Sequence, residues 1–462
     1  MKATVMGLGL NNGGVGVVQY LARKGYEIIV TDLKTESTLE KSLESLKEIP
    51  KVKIKFILGE HRDIDFKDTD LVVKNPGVPD SSNFLKIAKE NNVRVTNDIE
   101  LFFEEINKLK NKPKIIGITG TRGKTTTTSL IYHILKMQFG ENKVFLGGNI
   151  RMSVLNILDK IDQDSFVVLE LSSFQLSGLK YSPDIAVFTN FYPDHLNRYN
   201  SMEDYLKDKM NIFLNQNNNN TLVINSSQKI LTEISKKAKS EVVYFNIQKS
   251  QDSKIFIESG YIYFDNNKLL EINNLEIKGE HNLYNIMSAL AVLDKLNIPR
   301  NIIKKGLESF KSVKGRQEKL GDFDGIEIIN DTTSTMPEAL YTAIKTFTDK
   351  PLTIISGGNN KNLDYRQISI VLKDLNYVKN FILMPGDATD IIKEELKKIS
   401  GINIFEVENM EMALIKSKQI LNKDERLILS PGATSFGQFN NEFERGDSFV
   451  YFVNKYFNEE KY

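Results

Sequence analysis

The chain contains no cysteine and has almost no net charge, and each absence excludes a class of function. Without cysteine there are no disulfides, no thiolate metal ligands and no cysteine nucleophile. The 61 basic residues are balanced by 60 acidic residues, so the overall field gives no reason to expect binding to nucleic acid or to an anionic membrane. Any recognition of phosphate must therefore be local.

Long apolar runs are also missing. The chain opens on a short apolar strand pattern, Ala3–Met6, without the apolar core of a signal peptide. No later run approaches the roughly 20 residues that a membrane-spanning helix needs. We therefore expect a cytoplasmic protein with no membrane insertion.

The strongest motif is a glycine-rich turn between an apolar strand and a threonine-rich helix start. Small residues expose backbone N–H groups there, at the positive end of a helix, which makes an anion site. The GxxxxGK[ST] spacing fails because Ile118 stands at its first glycine, leaving the shorter GTxGK[ST] form. We expect Lys124 to reach the β- and γ-phosphates of ATP and the Thr125 hydroxyl to bind Mg²⁺, although a glycine turn followed by a surface lysine is the alternative. The predicted nucleotide ligands are Gly120, Thr121, Gly123, Lys124, Thr125 and Thr126.

The length of 462 residues predicts about two to four domains. Short apolar runs alternate with helical patterns, which is typical of an α/β protein with mostly parallel sheets. The pattern breaks near Asn111–Pro113 and again near Val313. We predict three tandem domains: a Rossmann-like N-terminal domain at 1–112, a central P-loop ATPase domain with a mostly parallel sheet at 113–312, and a C-terminal Rossmann-like α/β domain at 313–462.

Several segments, in order, resemble the Mur ligase family. They are Gly117–Thr128, Gly147–Ile150, Leu169–Leu176, Asn190–Tyr199 and Gly279–Asn285. The resemblance implies an ADP-forming ligase that phosphorylates a substrate carboxylate and lets an amino acid attack the acyl phosphate. The related folylpolyglutamate synthetases fit less well, because a complete Rossmann-like domain precedes the phosphate loop here.

The resemblance also implies two Mg²⁺ sites and a set of catalytic groups. Glu170 ends an apolar strand, where an isolated glutamate is more often a cap or a surface acid. His195 would be a second Mg²⁺ ligand, although a lone histidine is more often structural. Lys209 lies on the apolar face of a predicted helix, Asp204–Phe213, where snorkelling is the ordinary explanation; many family members carry a carbamylated lysine at this place. The predicted catalytic residues are Lys124, Glu170, His195 and Lys209, and the predicted metal ligands are Thr125, Glu170, His195 and Lys209.

The family's adenine and phosphate contacts fall on two further segments. The first is the predicted helix start with His281, Asn282 and Asn285, where capping by Asn282 is the alternative. The second begins with Arg316, in a run that lacks the histidine and phenylalanine of the family's HRFE-like motif. Asp331 matches an aspartate linked to the ribose or to phosphate.

The first domain resembles a dinucleotide-binding domain, but Asn12 occupies the third glycine position of GxGxxG. In the family the equivalent loop binds the UDP of a cell-wall precursor, and Asn75–Pro79 resembles the family's NPG turn. We predict UDP rather than NAD at this place. The predicted precursor contacts are Gly9, Asn11, Asn12, Asp32, Asn75, Gly77, Asn149 and Ser172.

The runs Gly357–Lys361 and Ser430–Phe436 follow two predicted strands of the third domain and should converge on one edge of its sheet. They resemble most the branch of the family that adds D-glutamate, which points to Thr335, Lys361, Ser435 and Phe436 as amino-acid ligands. The run beginning at Asn330 lacks a lysine found in many such enzymes. A different amino acid therefore stays open.

The resemblance implies a ligase of peptidoglycan synthesis that adds D-glutamate to UDP-MurNAc-L-Ala, using ATP and Mg²⁺, and we expect it to be a monomer. Its partners would be a UDP-linked sugar-peptide precursor and a free amino acid. A pseudomurein peptide ligase with another acceptor is the alternative within the family. An ATP-dependent switch protein without ligase activity, or an NAD-dependent oxidoreductase, would be alternatives of another class.

Overall fold

The structure is a computed structural model that describes residues 1–10, 12–49, 54–150, 152–196, 198–250, 253–361, 363–435 and 437–458. Two predicted ligands, Asn11 and Phe436, lie outside these residues. The chain forms two compact units: Met1–Asn274 with Tyr284–Glu308, and Leu275–Leu283 with Ser309–Tyr462. No helix within the described ranges is both long and apolar enough to cross a lipid bilayer.

The N-terminal part of the first unit is a parallel sheet with helices between its strands. Its elements are β1 (Lys2–Met6), α1 (Gly13–Arg23), β2 (Glu27–Asp32), α2 (Glu36–Glu44), β3 (Ile54–Leu58), α3 (Ile64–Lys67), β4 (Leu71–Lys74), α4 (Asn83–Glu90), β5 (Arg94–Thr96) and α5 (Asp98–Lys108). The strands pair in the order β3-β2-β1-β4-β5, all parallel. This is the predicted Rossmann-like arrangement. The strand order reverses between β1 and β4, and open α/β sheets bind ligands beyond the carboxyl ends of such strands.

The central part of the first unit is a second parallel sheet, as predicted. Its elements are β6 (Lys114–Thr119), α6 (Lys124–Phe139), β7 (Val144–Gly148), β8 (Phe166–Glu170), α7 (Ser173–Leu176), β9 (Ile185–Phe188), α8 (Met202–Leu214), β10 (Thr221–Asn225), α9 (Lys229–Ser235) and β11 (Glu241–Phe245). The strand order is β11-β10-β9-β6-β8-β7. The phosphate loop, Glu170 and the 190–199 segment therefore follow three neighbouring strands at one edge.

A small antiparallel sheet follows that the sequence pattern did not predict. It consists of β12 (Ile255–Glu258), β13 (Tyr261–Phe264) and β14 (Asn267–Glu271), joined by two tight turns. The turns use Ser259, Gly260, Asp265 and Asn266 with positive φ. Strands this short are ambiguous without their partners. The helices α10 (Glu280–Lys295) and α11 (Arg300–Ser309) come next.

The second unit contains a mixed sheet of six strands. Its elements are β15 (Glu318–Phe323), β16 (Ile326–Asn330), α12 (Pro337–Thr346), β17 (Leu352–Gly357), α13 (Gln367–Leu372), β18 (Val378–Met384), α14 (Asp387–Leu396), β19 (Asn403–Glu406), α15 (Met410–Ile420), β20 (Arg426–Leu429) and α16 (Glu442–Phe457). The strand order is β15-β16-β20-β17-β18-β19, and only the edge strand β15 is antiparallel. The loops after β16, β17, β18 and β20 consequently share one edge.

Within the first unit, helix α1 packs closely against the central part. A Cβ added to Gly16 would lie 2.2 Å from the Cβ of Ser153, so a larger residue cannot enter without separating the two segments. Arg23 Nη2 donates to the carbonyl oxygen of Leu155 at 3.0 Å, and Asn156 Nδ2 donates to Gln19 Oε1 at 3.0 Å. The N-terminal and central sheets are thus held together by direct contacts.

Helix α5 begins with a fully buried carboxylate, Asp98. Its Oδ1 atom has no hydrogen-bond partner among the described residues. Burial raises the pKa of Asp98 from its usual 3.8 to about 6, opposed by backbone hydrogen bonds at the helix start. Since the pKa is higher in the folded chain than in the unfolded chain, protonation favours folding, and this stabilisation is lost as the pH rises from about 4 to about 6.

We expect Asp98→Asn to raise the melting temperature at pH 8 and to have little effect below pH 5, because the amide removes the buried charge only where Asp98 is ionised. Thermal melting of both proteins from pH 4.5 to 8 would measure this. Asp164→Asn, whose side chain is 72% exposed, is the matched control and should leave the melting temperature unchanged. If Asp98→Asn changed the melting temperature by the same amount at pH 4.5 and at pH 8, the expectation would be contradicted.

Candidate active site

The predicted phosphate loop connects β6 to α6, and two of its glycines have positive φ: 148° at Gly120 and 78° at Gly123. A Cβ on Gly120 would lie 2.0 Å from Thr189 Oγ1, so glycine is required there. The backbone N–H of Thr121 donates to the carbonyl oxygen of Asn190 at 3.0 Å. Thr125 and Thr126 are half-buried in the first turn of α6. The loop is thus a strained turn held by the segment after β9.

Two lysines converge on one carbonyl oxygen of this loop. Lys124 Nζ donates to Gly120 O at 3.1 Å and to Thr121 O at 2.9 Å. Lys209 Nζ, from α8, donates to the same Gly120 oxygen at 2.7 Å. Lys209 is 1% exposed and lies over the Tyr205 ring. Burial, followed by the charge of Lys124, lowers the pKa of Lys209 well below its usual value. The prediction that Lys209 lies on the apolar face of its helix is confirmed, and Lys207 is exposed.

Glu170 is buried at the end of β8, next to the phosphate-loop strand β6. Its Oε1 atom accepts a hydrogen bond from Asn149 Nδ2 at 2.8 Å. Its Oε2 atom is buried without a hydrogen-bond partner in the described part of the chain. An unpaired carboxylate oxygen is costly to bury unless a cation or a donor completes it. Glu170 therefore has the chemistry of a metal ligand.

His195 is exposed on the segment after β9 and has a positive φ of 54°. Its ring packs edge-on against Phe174 and Tyr205, with centroid distances of 5.1 and 5.9 Å. Its Nε2 atom lies 3.6 Å from Asp194 Oδ2. Lys124, Asp194 and Glu170 all act electrostatically on Lys209, so the structure brings the predicted residues Lys124, Glu170 and Lys209 into one region.

The donors in this region fit Mg²⁺ only as a mixed set. Among the residues that the structure describes, no group of three His, Asp or Glu side chains lies close enough to hold a metal ion. The unpaired Glu170 oxygen fits a hard cation, and the other donors would have to be hydroxyls, waters, nucleotide oxygens or a modified lysine. The predicted set of Thr125, Glu170, His195 and Lys209 is of this mixed kind.

Asn285, in helix α10, contacts the phosphate loop. A Cβ on Gly123 would lie 2.0 Å from Asn285 Oδ1, and Thr127 Oγ1 is 3.2 Å from Ser288 Oγ on the same helix. Asn282 is buried, and its Nδ2 atom donates to the carbonyl oxygen of Lys278 at 2.8 Å. The Asn282 side chain is thus hydrogen-bonded to the backbone just before α10. Asn285 instead lies against Gly123, the N-cap residue of α6.

Arg316 and Asp331 lie together in the second unit. Asp331 is buried and accepts hydrogen bonds from Gln317 N at 3.1 Å and Ser430 Oγ at 3.0 Å. Burial raises the pKa of Asp331 to about 7, and the hydrogen bonds and the Arg316 charge oppose the rise. Arg316 itself is exposed.

The predicted precursor loop lies at the strand-order reversal of the N-terminal sheet. Asp32 is buried and accepts a hydrogen bond from Gly9 N at 3.0 Å. Asn75 Oδ1 accepts one from Gly77 N at 3.0 Å, and Asn75 Nδ2 would lie 3.1 Å from a Cβ on Gly9. Asn12 adopts a left-handed conformation just before α1. Gly9, Asp32, Asn75 and Gly77 are therefore brought together, and the nearby chain exposes the apolar side chains of Leu10 and Leu33.

Ser172 and Asn149 have local structural partners. Ser172 is the N-cap of α7, with its Oγ accepting from Gln175 N and its N–H donating to Gln175 Oε1, which forms a capping box. Asn149 is exposed and holds Glu170 through its side chain. The structure accounts for Ser172 as a cap, and its contact with a precursor stays a prediction.

The first unit also contains a cavity of about 380 Å³ that the sequence analysis did not identify. The cavity is lined by most residues of the 74–81 segment, by Phe174, Arg198 and Tyr199, and by one side of α8. Lys74 is buried there and forms an ion pair with Asp80. The signal in the sequence was a lysine, Lys74, at the end of the apolar run directly before the NPG turn.

The second unit contains a cavity of about 220 Å³ at the carboxyl edge of its sheet. It is lined by Gly357, Gly358, Asn359, Met384, Pro385, Gly386, Thr434, Ser435, Gly437, Gln438, Phe439 and Arg445. The two predicted runs converge here as expected, and Ser435 is part of the lining. Lys361 is exposed and Thr335 is half-buried, and neither lines the cavity. Arg445 was missed because an arginine in the first turn of an amphipathic helix reads as an ordinary surface residue.

Two family models match this sequence. The Mur ligase middle domain matches residues 118–293, and the Mur ligase MurD-like N-terminal domain matches residues 1–97. Relatives named UDP-N-acetylmuramoylalanine--D-glutamate ligase match nearly the full length. The protein from Roseiflexus sp. (strain RS-1) is 34% identical over 97% of both chains, and that from Borreliella afzelii (strain PKo) is 37% identical over 96% of both. The one from Clostridioides difficile (strain 630) is 34% identical over 97% of this chain and 98% of that protein.

Solved structures share the fold along the whole chain. The UDP-N-acetylmuramate-alanine ligase MurC from Thermotoga maritima has a TM-score of 0.63 at 21% identity, with 100% of both chains covered. A pseudomurein peptide ligase type C from Methanothermus fervidus has a TM-score of 0.55 at 20% identity, again over 100% of both chains. The predicted α/β fold with N-terminal, central and C-terminal domains is confirmed.

We expect Gly123→Ala to weaken ATP binding at least about tenfold, because the added Cβ meets Asn285 and the positive φ disfavours alanine. Titration with a fluorescent ATP analogue would measure this. Gly140→Ala is the matched control, since Gly140 also has a positive φ but no heavy atom within 4 Å of its added Cβ. Equal affinities for the two variants would show that the contact with Asn285 does not shape the loop.

Proposed function

Because the chain belongs to the Mur ligase family, we propose that it joins D-glutamate to UDP-N-acetylmuramoyl-L-alanine in an ATP-dependent, ADP-forming reaction of peptidoglycan synthesis. The observation that carries the proposal is full-length similarity to ligases of that name, combined with a phosphate loop on which Lys124 and Lys209 converge. The predicted domains at 1–112, 113–312 and 313–462 would hold the precursor, ATP and the amino acid, respectively.

The phosphate loop supplies the ATP contacts in this proposal. Exposed N–H groups at the start of α6 would bind phosphate oxygens, and Lys124 would leave its loop carbonyls to bind the β- and γ-phosphates. Asn285 would keep the loop in shape from α10. His281, Asn282, Arg316 and Asp331 are proposed as further nucleotide contacts. Positioning and fixed positive charge are the main contributions a protein makes to phosphoryl transfer.

Thr125, Glu170, His195 and Lys209 are the proposed Mg²⁺ ligands. When bound, Mg²⁺ would neutralise charge on the phosphoryl group under transfer. Lys209 suits this role only after modification, because a protonated amine cannot bind a cation. Its burial favours the neutral amine, which is the form that reacts with CO₂ to give a carbamate anion. Carbamylation would also replace the repulsion between Lys209 and Lys124 by attraction.

The proposed reaction has two steps. A carboxylate oxygen of the precursor attacks the γ-phosphorus of ATP, ADP leaves, and an acyl phosphate forms. The amino nitrogen of D-glutamate then attacks the acyl carbon, phosphate leaves, and the nitrogen loses a proton. Both steps involve concentrated negative charge beside the phosphate loop. Lys124 is the proposed residue that stabilises it.

The two substrates would bind at the carboxyl edges of the outer sheets. The N-terminal loop offers Gly9 N–H and Asp32 at the strand-order reversal, with Leu10 and Leu33 as apolar surface for a base. Asn75, Gly77, Asn12, Asn149 and Ser172 are proposed to complete the precursor contacts. Thr335, Lys361 and Ser435 are proposed as amino-acid contacts. Of the three, Ser435 lines the 220 Å³ cavity, which is proposed as part of the amino-acid pocket.

The test is phosphate release from Mg²⁺-ATP across UDP-linked sugar acids and peptides crossed with L- and D-amino acids. We expect release only with UDP-MurNAc-L-Ala and D-glutamate together, because the acyl phosphate needs the first and its breakdown to product needs the second. Phosphate release with another pair would mean that the protein is a ligase with different substrates. Phosphate release that depends on neither substrate would favour an ATP-dependent switch protein.

We expect Lys209→Ala to lose at least about a hundredfold in kcat and to regain part of it with millimolar acetate or formate, because a small carboxylate can replace the carbamate. Phosphate release under the same conditions would measure this. The exposed Lys236→Ala is the control and should show neither loss nor response. Absence of any rescue would leave Lys209 as an uncharged structural amine.

A further inference from the structure

Arg445 is a buried arginine that forms no ion pair with an acidic side chain among the residues that the structure describes. Its side chain is among the largest in the chain with under 2% exposure. Nε donates to Thr332 Oγ1 at 3.3 Å, Nη1 to Ala433 O at 3.1 Å and Nη2 to Thr332 O at 2.8 Å. All three acceptors are neutral oxygens. Arginine has five N–H donors, so two are not used in these bonds.

The charge of Arg445 is therefore balanced only at a distance. Among the described residues no carboxylate lies within ion-pair range of it, and Glu442 and Asp331 act on it only through longer-range attraction. A buried charge without a close counter-charge is costly. Burial accordingly lowers the pKa of Arg445 to about 10. Such a residue is stabilised by an anion that binds next to it.

The place where an anion could bind is the 220 Å³ cavity, which Arg445 lines together with Ser435 and Gln438. Glycines form much of the wall, and larger residues could not replace two of them. A Cβ on Gly358 would lie 2.3 Å from Thr434 O, and one on Gly386 would lie 2.1 Å from Gly358 O. The space is below the range of drug-sized pockets and suits a small molecule. None of the described residues that line it carries a carboxylate side chain.

We propose that Arg445 determines the choice of amino acid by binding the side-chain carboxylate of an acidic amino acid in this cavity. The inference rests on the proposed function and adds a residue that distinguishes amino acids with a charged side chain from those with an uncharged one. The free N–H groups would donate charge-assisted hydrogen bonds to the carboxylate. The bonds to Thr332 and Ala433 hold the guanidinium in place, so little reorganisation is needed when the amino acid binds.

The experiment compares D-glutamate with D-glutamine, which has nearly the same shape and no side-chain charge. Phosphate release is measured with UDP-MurNAc-L-Ala and saturating Mg²⁺-ATP for the wild type, Arg445→Lys and Arg445→Met. We expect the wild type to prefer D-glutamate strongly. Arg445→Met should lower kcat/KM for D-glutamate about a hundredfold, mainly through KM, and change that for D-glutamine far less. Arg445→Lys should keep part of the preference because it keeps the charge.

The control is Arg366→Met. Arg366 is 80% exposed in the same unit and pairs with Asp364, so its loss should leave the ratio of the two kcat/KM values unchanged. Equal losses for D-glutamate and D-glutamine in Arg445→Met would overturn the inference and leave Arg445 as a structural residue. If the variants do not fold, the wild type alone still tests the inference. Equal kcat/KM values of the wild type for D-glutamate and D-glutamine would overturn it. Release with no acceptor and amino-acid pair at all would instead remove the proposed function, and the inference with it.

Discussion

Two lysine side chains meet at the carbonyl oxygen of Gly120, and the central site is organised around that contact. Two ammonium groups cannot share one buried oxygen without strong repulsion. Lys209 is buried and loses its proton more easily, whereas Lys124 is only partly buried and donates to two carbonyls of the loop. The arrangement is stable if Lys209 is neutral or modified. Either state leaves Lys124 as the charged member of this pair of lysines.

The loop can present these lysines because of its glycines and its neighbours. Gly120 and Gly123 adopt conformations that disfavour side chains. The Thr189 hydroxyl lies directly next to Gly120, and the Asn285 side chain lies next to Gly123. The parallel strands β6, β8 and β9 end side by side, which brings Glu170 and the segment with His195 to the same edge. Backbone conformation and strand order thus set the electrostatics of the site.

Asp98, Glu170 and Arg445 are buried ionisable groups that form no ion pair within the described part of the chain, and their surroundings give them different roles. Asp98 lies in a helix start within the core, where its charge only opposes folding. Glu170 lies at a strand end with one oxygen unpaired, beside the phosphate loop. Arg445 lines a cavity. An uncompensated charge indicates a ligand only where space for that ligand adjoins it.

The α/β class, the phosphate loop and the family were determined by the sequence itself, because strand periodicity, GTRGKTT and the other motifs are local patterns. The position of Lys209 on the apolar face of its helix also followed from helical spacing alone, whereas its full burial did not. The small sheet of β12–β14, the shared Gly120 oxygen, the unpaired oxygen of Glu170 and the cavity beside Arg445 were decided only by the tertiary structure. Each depends on groups distant in the chain, such as Lys209 and Gly120, and pairing over such separations leaves no periodic trace in a single sequence.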